Sequence, residues 1–207
     1  MKYLSILEMI LGKFIKKNIA IMISGNGSNM EAIIKESQNG VLKNLVNIKA
    51  VFSDNKDAKG LIIAKENNIE TIYLKQYYKN RERGEENIVS VFEKLNIELI
   101  ILAGYMRVLS KGFVNKYENK ILNIHPADTD LYKGNNGYLW AYENKLKSTK
   151  ITVHLVNEEL DSGRILNKEE FLIPNNASLG EIKNIGLKIE HKMYSRVIKN
   201  YILKELM

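Results

Sequence analysis

The sequence predicts an α/β protein built on a doubly wound, mostly parallel sheet with helices on both faces. Three observations predict it. Short β-branched apolar runs alternate with amphipathic stretches through the first half of the chain. Those runs lack the polar alternation of a half-solvated sheet, as strands covered on both faces must. The resulting order, β-α-β-α-β-α-β, is the pattern of parallel strands joined by crossover helices.

Residues 18–24 (NIAIMIS) are almost wholly apolar and read as a buried first strand. A Gly25-Asn26-Gly27 turn follows, and Ser28 with Glu31 has the spacing of a capping box. The first helix then runs to about residue 38 and Gly40 ends it. Residues 47–53 (NIKAVFS) read as a second strand, 58–66 as a helix, 70–74 as a third strand and 81–95 as a helix. Residues 98–103 (ELIILA) form the fourth buried strand. The second half is less regular. A short helix is expected over 110–117, a strand over 121–124, a polar loop over 128–137 and one or two helical turns over 138–144. Strands over 149–156 and 164–173 follow. Ser178 opens a long amphipathic helix through Ile182, Ile185, Ile189, Met193, Val197 and Ile198.

Residues 1–17 (MKYLSILEMILGKFIKK) stand apart. Tyr3, Leu7, Ile10 and Phe14 recur at helical spacing, Glu8 interrupts any secretory apolar core, and no small-residue cleavage site follows. They read as a helical extension that packs or frays, with a membrane-surface helix as the alternative because Lys13, Lys16 and Lys17 are basic. Without repeats or a low-complexity linker, residues 18–207 read as a single domain.

With 45% apolar and 27% charged residues, the chain of 207 residues has the mix of a globular domain with a real core. It has no cysteine, so disulfides and thiolate metal sites are excluded. The net charge of +7 favours anionic small molecules, but the lysines are scattered, which does not point to nucleic acid. No His, Asp and Glu set has metal-ligand spacing, so no metal is expected. No apolar run is long enough for a bilayer, and a cytoplasmic protein is expected.

Three places can carry chemistry. SGNGSN, residues 24–29, lies between a strand and a helix. Its glycines allow a tight turn, and the helix N-terminus favours an anion near Gly27, Ser28 and Asn29; a plain strand-to-helix turn would read the same. The dinucleotide spacing fails at Met30, and no Walker lysine follows. NIHP, residues 123–126, ends a strand, where parallel sheets bind ligands. There the Asn123 amide could donate to an oxyanion and His125, on the same side of the strand, could polarise a carbonyl or move a proton. A packed strand-end histidine is the alternative. LDSG, residues 160–163, is a turn whose Asp161 would ordinarily make a local bond and matters only if it lies near His125.

Four segments in one order are more specific than any of these alone. SGNGSN at 24–29, LAGYMRVLS at 102–110, LNIHP at 122–126 and VHLVNEELDSG at 153–163 together resemble the glycinamide ribonucleotide (phosphoribosylglycinamide) formyltransferase family, over about residues 18–201. The resemblance implies a Rossmann-like formyltransferase fold and transfer of a formyl group from 10-formyltetrahydrofolate, as co-substrate, to the glycyl amine of a phosphoribosyl glycinamide in purine biosynthesis. It implies Asn123, His125 and Asp161 as the catalytic trio. The substrate phosphate would lie on Gly27, Ser28 and Asn29, and Glu190 would hold the glycyl amine. The folate would lie near Arg81, Met106, Arg107, Val108, Leu109 and Asn123, with 157–161 bordering the pterin. Small-molecule partners, a monomer or homodimer, no nucleic acid and no membrane are implied.

The chain departs from the family after His125-Pro126. It reads ADTDLYKGNNGYLW where many members carry Ser-Leu-Leu-Pro and a Pro-Gly loop, and Asn136 stands where many have another histidine. An amino sugar nucleotide is therefore an alternative acceptor. A methionyl-tRNA formyltransferase would need a further C-terminal domain, and a formyltetrahydrofolate deformylase a regulatory domain ahead of this one. From another class, a non-catalytic phosphate- or nucleotide-binding module would share the glycine turn and the α/β order.

Overall fold

The computed structural model describes residues 16–73 and 81–207. The strands are β1 (Lys17–Ile23), β2 (Val46–Ser53), β3 (Glu70–Tyr73), β4 (Leu99–Leu102), β5 (Ile121–His125), β6 (Ser148–Leu155) and β7 (Ile165–Leu172). The helices are α1 (Ser28–Asn39), α2 (Lys59–Glu66), α3 (Arg81–Lys94), α4 (Lys111–Lys116), α5 (Gly137–Glu143) and α6 (Leu179–Tyr201). The strands form one sheet in the order β3-β2-β1-β4-β5-β6-β7. Pairing is parallel from β3 to β5 and antiparallel across β5-β6 and β6-β7. The expected fold class is the observed one. The helical reading of the N-terminal extension, and the end of the third strand at Leu74, lie outside the described residues.

The unbroken apolar character of β1 has a direct cause. Ile19, Ile21 and Ile23 point into a core shared with α1, α2 and α6, through Ile33, Leu61 and Met193. Ala20 and Met22 point the other way, into a core with Ile88 and Phe92 of α3 and Phe113 of α4. A strand covered on both faces has no position for a polar residue. In β7 only Phe171 is buried, which fits an edge strand.

Two local features differ from the sequence reading. Ser28 does not cap α1. Gly27 takes the cap position in a left-handed conformation, φ 76°, and makes no side-chain cap bond. The helix thus starts one residue earlier, and Glu31 pairs with Lys35 instead. A Cβ on Gly27 would stand 2.8 Å from Gly60 Cα, so this turn is packed as well as left-handed. A true capping box does exist at the start of α6, between Ser178 and Glu181.

Helix α6 is pinned to the sheet by Tyr194. Its buried hydroxyl reaches the Leu102 carbonyl at the end of β4 at 3.0 Å and the Leu122 carbonyl within β5 at 2.9 Å. Burial pushes this phenol well above its ordinary pKa, so it stays a donor.

Candidate active site

The carboxyl ends of β1, β4 and β5 open into a cleft of about 660 Å³. Ligand sites of open parallel sheets lie at such ends. Asn123 and His125 are two residues apart on β5 and so share a side. The antiparallel register sets His154 of β6 directly opposite Asn123. The turn after β6 brings Asp161 back over both.

The carboxylate of Asp161 is the hub. Its Oδ2 lies 3.5 Å from His125 Nδ1, and its Oδ1 lies 3.4 Å from His154 Nε2. Asn123 Nδ2 stands 3.4 Å from the same Oδ1 and 3.3 Å from His154 Nε2. The Gly134 N–H donates to Oδ2 at 2.8 Å. So Asn123, His125 and Asp161, 38 residues apart at the extremes, do come together. Asp161 has φ 48°, and its carboxylate spans to the facing loop. The local turn bond belongs instead to Asn157, which accepts from Glu159 N–H.

Burial works to raise the Asp161 pKa, but the His154 bond, the Gly134 N–H and the two imidazoles outweigh it and hold the carboxyl below its ordinary value. His125 moves down as well: burial is the leading cause, His154 adds to it, and Asp161 and the Tyr132 carbonyl oppose it. An anionic carboxylate beside a depressed imidazole can pass a proton near neutral pH.

His154 is the residue that sequence reasoning missed. From the sequence it had a place in the strand over 149–156 and no role. Its Nδ1 lies 2.8 Å from the Leu155 carbonyl, a pure acceptor, so Nδ1 carries the proton in the neutral ring. Nε2 then accepts from Asn123, and it donates to Asp161 only when the ring is doubly protonated. The available signal was register: the residue opposite Asn123 in an antiparallel partner must share its face.

At another wall of the cleft, Glu190 of α6 is buried, and no cation among the described residues pairs with it. Asn29 Nδ2 and the Tyr138 hydroxyl both donate to it in short hydrogen bonds. Tyr138 reaches it by lying over Gly186, where a Cβ would collide with its ring. Burial and the Glu190 charge push the Tyr138 phenol far above its ordinary pKa, which keeps it a donor. Asn29 Oδ1 is buried without a hydrogen-bond partner among the described residues. Gly27, Ser28 and Asn29 line the cleft beside these groups, at the open N-terminus of α1.

The remaining residues named from the sequence divide. Met106, Arg107, Val108 and Leu109 line the cleft, and Met106 and Val108 are exposed there. Arg107 is tied down by Asp54 at 2.7 Å, which also accepts from Ser24 Oγ at 2.6 Å. Arg81 is not among the cleft-lining residues. It opens α3, with its guanidinium 3.5 Å from the Val108 carbonyl, and so touches the site through that strap. Asn136 caps α5 in a left-handed conformation, φ 66°. Among the described residues no group of three His, Asp or Glu side chains is arranged to hold a metal.

The formyl transferase family model matches residues 17–198, which include every group above. The chain belongs to the formyl transferase family. It is 35% identical over 184 residues to a phosphoribosylglycinamide formyltransferase of Haemophilus influenzae, covering 88% of this chain and 86% of that protein. It is also 32% identical to the human trifunctional purine biosynthetic protein adenosine-3, over 89% of this chain but only 18% of that longer protein. Among solved structures, the phosphoribosylglycinamide formyltransferase of Bacillus halodurans superposes with a TM-score of 0.86 at 29% identity, covering 91% of this chain and 96% of that one. The one from Brucella melitensis gives 0.82 at 35% identity, covering 90% and 95%. The architecture and the transferase class expected from the sequence are thus those of its relatives.

Proposed function

We propose that this chain transfers the formyl group of 10-formyltetrahydrofolate to the glycyl amine of glycinamide ribonucleotide, in purine biosynthesis. The observation that carries the reading is the contact of Asn123, His125 and Asp161 inside a cleft with an open helix N-terminus at its wall. The names of the relatives support the acceptor and the pathway. The folate is a co-substrate, and both substrates are small molecules. No helix among the described residues is long and apolar enough to cross a membrane, in keeping with a cytoplasmic enzyme. Residues 18–207 act as one catalytic unit in this reading.

The roles follow from the geometry. The glycyl nitrogen attacks the formyl carbon, a C–N bond forms, and the formyl oxygen takes negative charge. Asn123 Nδ2 donates to that charge, and His125 adds positive charge beside it as the imidazolium forms. Asp161 stabilises the imidazolium and relays the amine proton toward the departing folate nitrogen, whose bond to the formyl carbon then breaks. Gly27, Ser28 and Asn29 offer N–H groups to the phosphate. Glu190, held by Asn29 and Tyr138, orients the amine. Met106, Val108 and Leu109 give the pterin an apolar wall.

The test is a spectroscopic transfer assay with both substrates on the parent and on His125→Ala. Turnover by the parent, and a fall of at least about 100-fold in the variant, supports the reading. A parent that formylates an amino sugar nucleotide but not glycinamide ribonucleotide redirects the acceptor. A parent with neither activity, stabilised on melting by a nucleotide but not by a folate analogue, is a binding module instead.

A further inference from the structure

The loop after His125-Pro126 grips both members of the catalytic pair at once. Tyr132 lends its backbone carbonyl to His125 Nε2 at 3.1 Å. Two residues later the Gly134 N–H donates to Asp161 Oδ2 at 2.8 Å. A carbonyl only accepts, so Nε2 of His125 must carry a proton there. Nδ1 is then the nitrogen left to Asp161.

The grip is itself held. The Tyr132 ring is stacked between His125, at 6.3 Å and 22°, and Trp140 of α5, at 4.9 Å and 17°. Its hydroxyl donates to the Asn135 carbonyl at 2.5 Å and closes the turn. Lys133 Nζ donates to Ser162 Oγ at 2.5 Å, next to Asp161. At the base of the loop, Asp128 is fixed by Lys150 at 2.8 Å and by Lys168 in a shorter contact. Gly134 has φ 103°, a conformation closed to residues with a side chain, and its N–H aims at Asp161 because of it.

We propose that residues 132–134 are a positioning clamp: the Tyr132 carbonyl and the Gly134 N–H fix the His125 tautomer and the Asp161 carboxylate, with the Tyr132–Trp140 stack as their brace. This rests on the catalytic assignment above for its kinetic consequence, but its structural content does not. The groups facing His125 are Asp161, His154 and the Tyr132 carbonyl.

Three variants test it. Tyr132→Ala removes the brace, and Tyr132→Phe restores the ring. Gly134→Ala puts a Cβ into open space, with nothing within 4 Å, so its only effect is to oppose φ 103° and turn the N–H away. The first readout is ¹⁵N NMR of the imidazoles, which reports which nitrogen of His125 bears the proton and needs no substrate. The parent is expected to hold the Nε2-protonated form throughout. Tyr132→Ala and Gly134→Ala are expected to show a mixture of tautomers, and Tyr132→Phe the parent signature. The second readout is kinetic. Both disruptive variants should lose about 10–100-fold in kcat, the cost of a slightly misplaced group, with KM for either substrate within about twofold. Parent-like ¹⁵N signals in both disruptive variants overturn the clamp, whatever the activity. Altered signals with an inactive parent leave the clamp standing and sink the catalytic reading instead.

Discussion

Asp128 and Asp161 are both buried carboxylates that touch the 127–137 loop, with side chains 6% and 7% exposed, and their company is opposite. Asp128 faces Lys150 and Lys168. Both lysines lower its pKa against the cost of burial, to about 2. Among the described residues, Asp161 pairs with two histidines and with no lysine or arginine. A carboxylate between permanent cations is a fixed anion at any physiological pH. A carboxylate between imidazoles sits beside partners that gain and lose protons near neutrality. One holds the base of the loop and the other can take part in chemistry above it. Burial alone does not separate them; the partners do, lysines on one side and imidazoles on the other.

The widest expected gap tests this directly. Asp161→Asn keeps shape and loses charge, so the imidazolium that forms in the transition state is left unsupported. Turnover should fall by at least about 10³-fold while the melting temperature stays near the parent's. Asp128→Asn should lower the melting temperature and cost far less turnover. If Asp128→Asn proves the more damaging to kcat, the comparison fails. Next in size is Asn123→Ala, which removes one proposed oxyanion donor and should cost about 10²–10³ in kcat.

His154→Gln should cost less, about tenfold, as for other partners that orient a reacting group. It also sharpens the contrast through pH. The His154 bond lowers the Asp161 pKa, so its loss lets that carboxyl rise. The acidic limb of the kcat profile should therefore move to higher pH, and an unmoved limb would remove His154 from the relay. The smallest effect is on stability. The folded Asp128 carboxyl titrates near 2 against an ordinary 3.8. Its contribution is complete above 3.8 and is lost as the pH falls toward 2. Acid titration of unfolding should show that slope in the parent and not in Asp128→Asn.

The fold was legible because its signals are local. The apolar run of β1 and the strand-helix alternation through β4 need only neighbouring residues to be read. Asn123 and His125 were legible for the same reason: a strand end and a period of two suffice. Asp161 was legible only through the company of the other segments, because its approach to His125 depends on antiparallel β5-β6 pairing that no local rule dictates. His154 depended on the same pairing and went unseen. The Ser28 cap failed because a glycine that can turn left-handed starts the helix a residue sooner. The loop from Ala127 to Gly137 was legible as polar and nothing more, since its shape comes from stacking on His125 and from lysines of β6 and β7.

Tyr194 carries one more consequence. Its single hydroxyl touches carbonyls of two neighbouring strands, while Glu190 lies one helical turn earlier on the same rigid rod. The phenol thus works as a datum for α6. It sets how deep the helix sits, and so the span between the carboxylate at Glu190 and the strand end at Asn123. A substrate that must touch both is measured against that span, and the length of molecule the cleft accepts is set by an oxygen that no substrate meets.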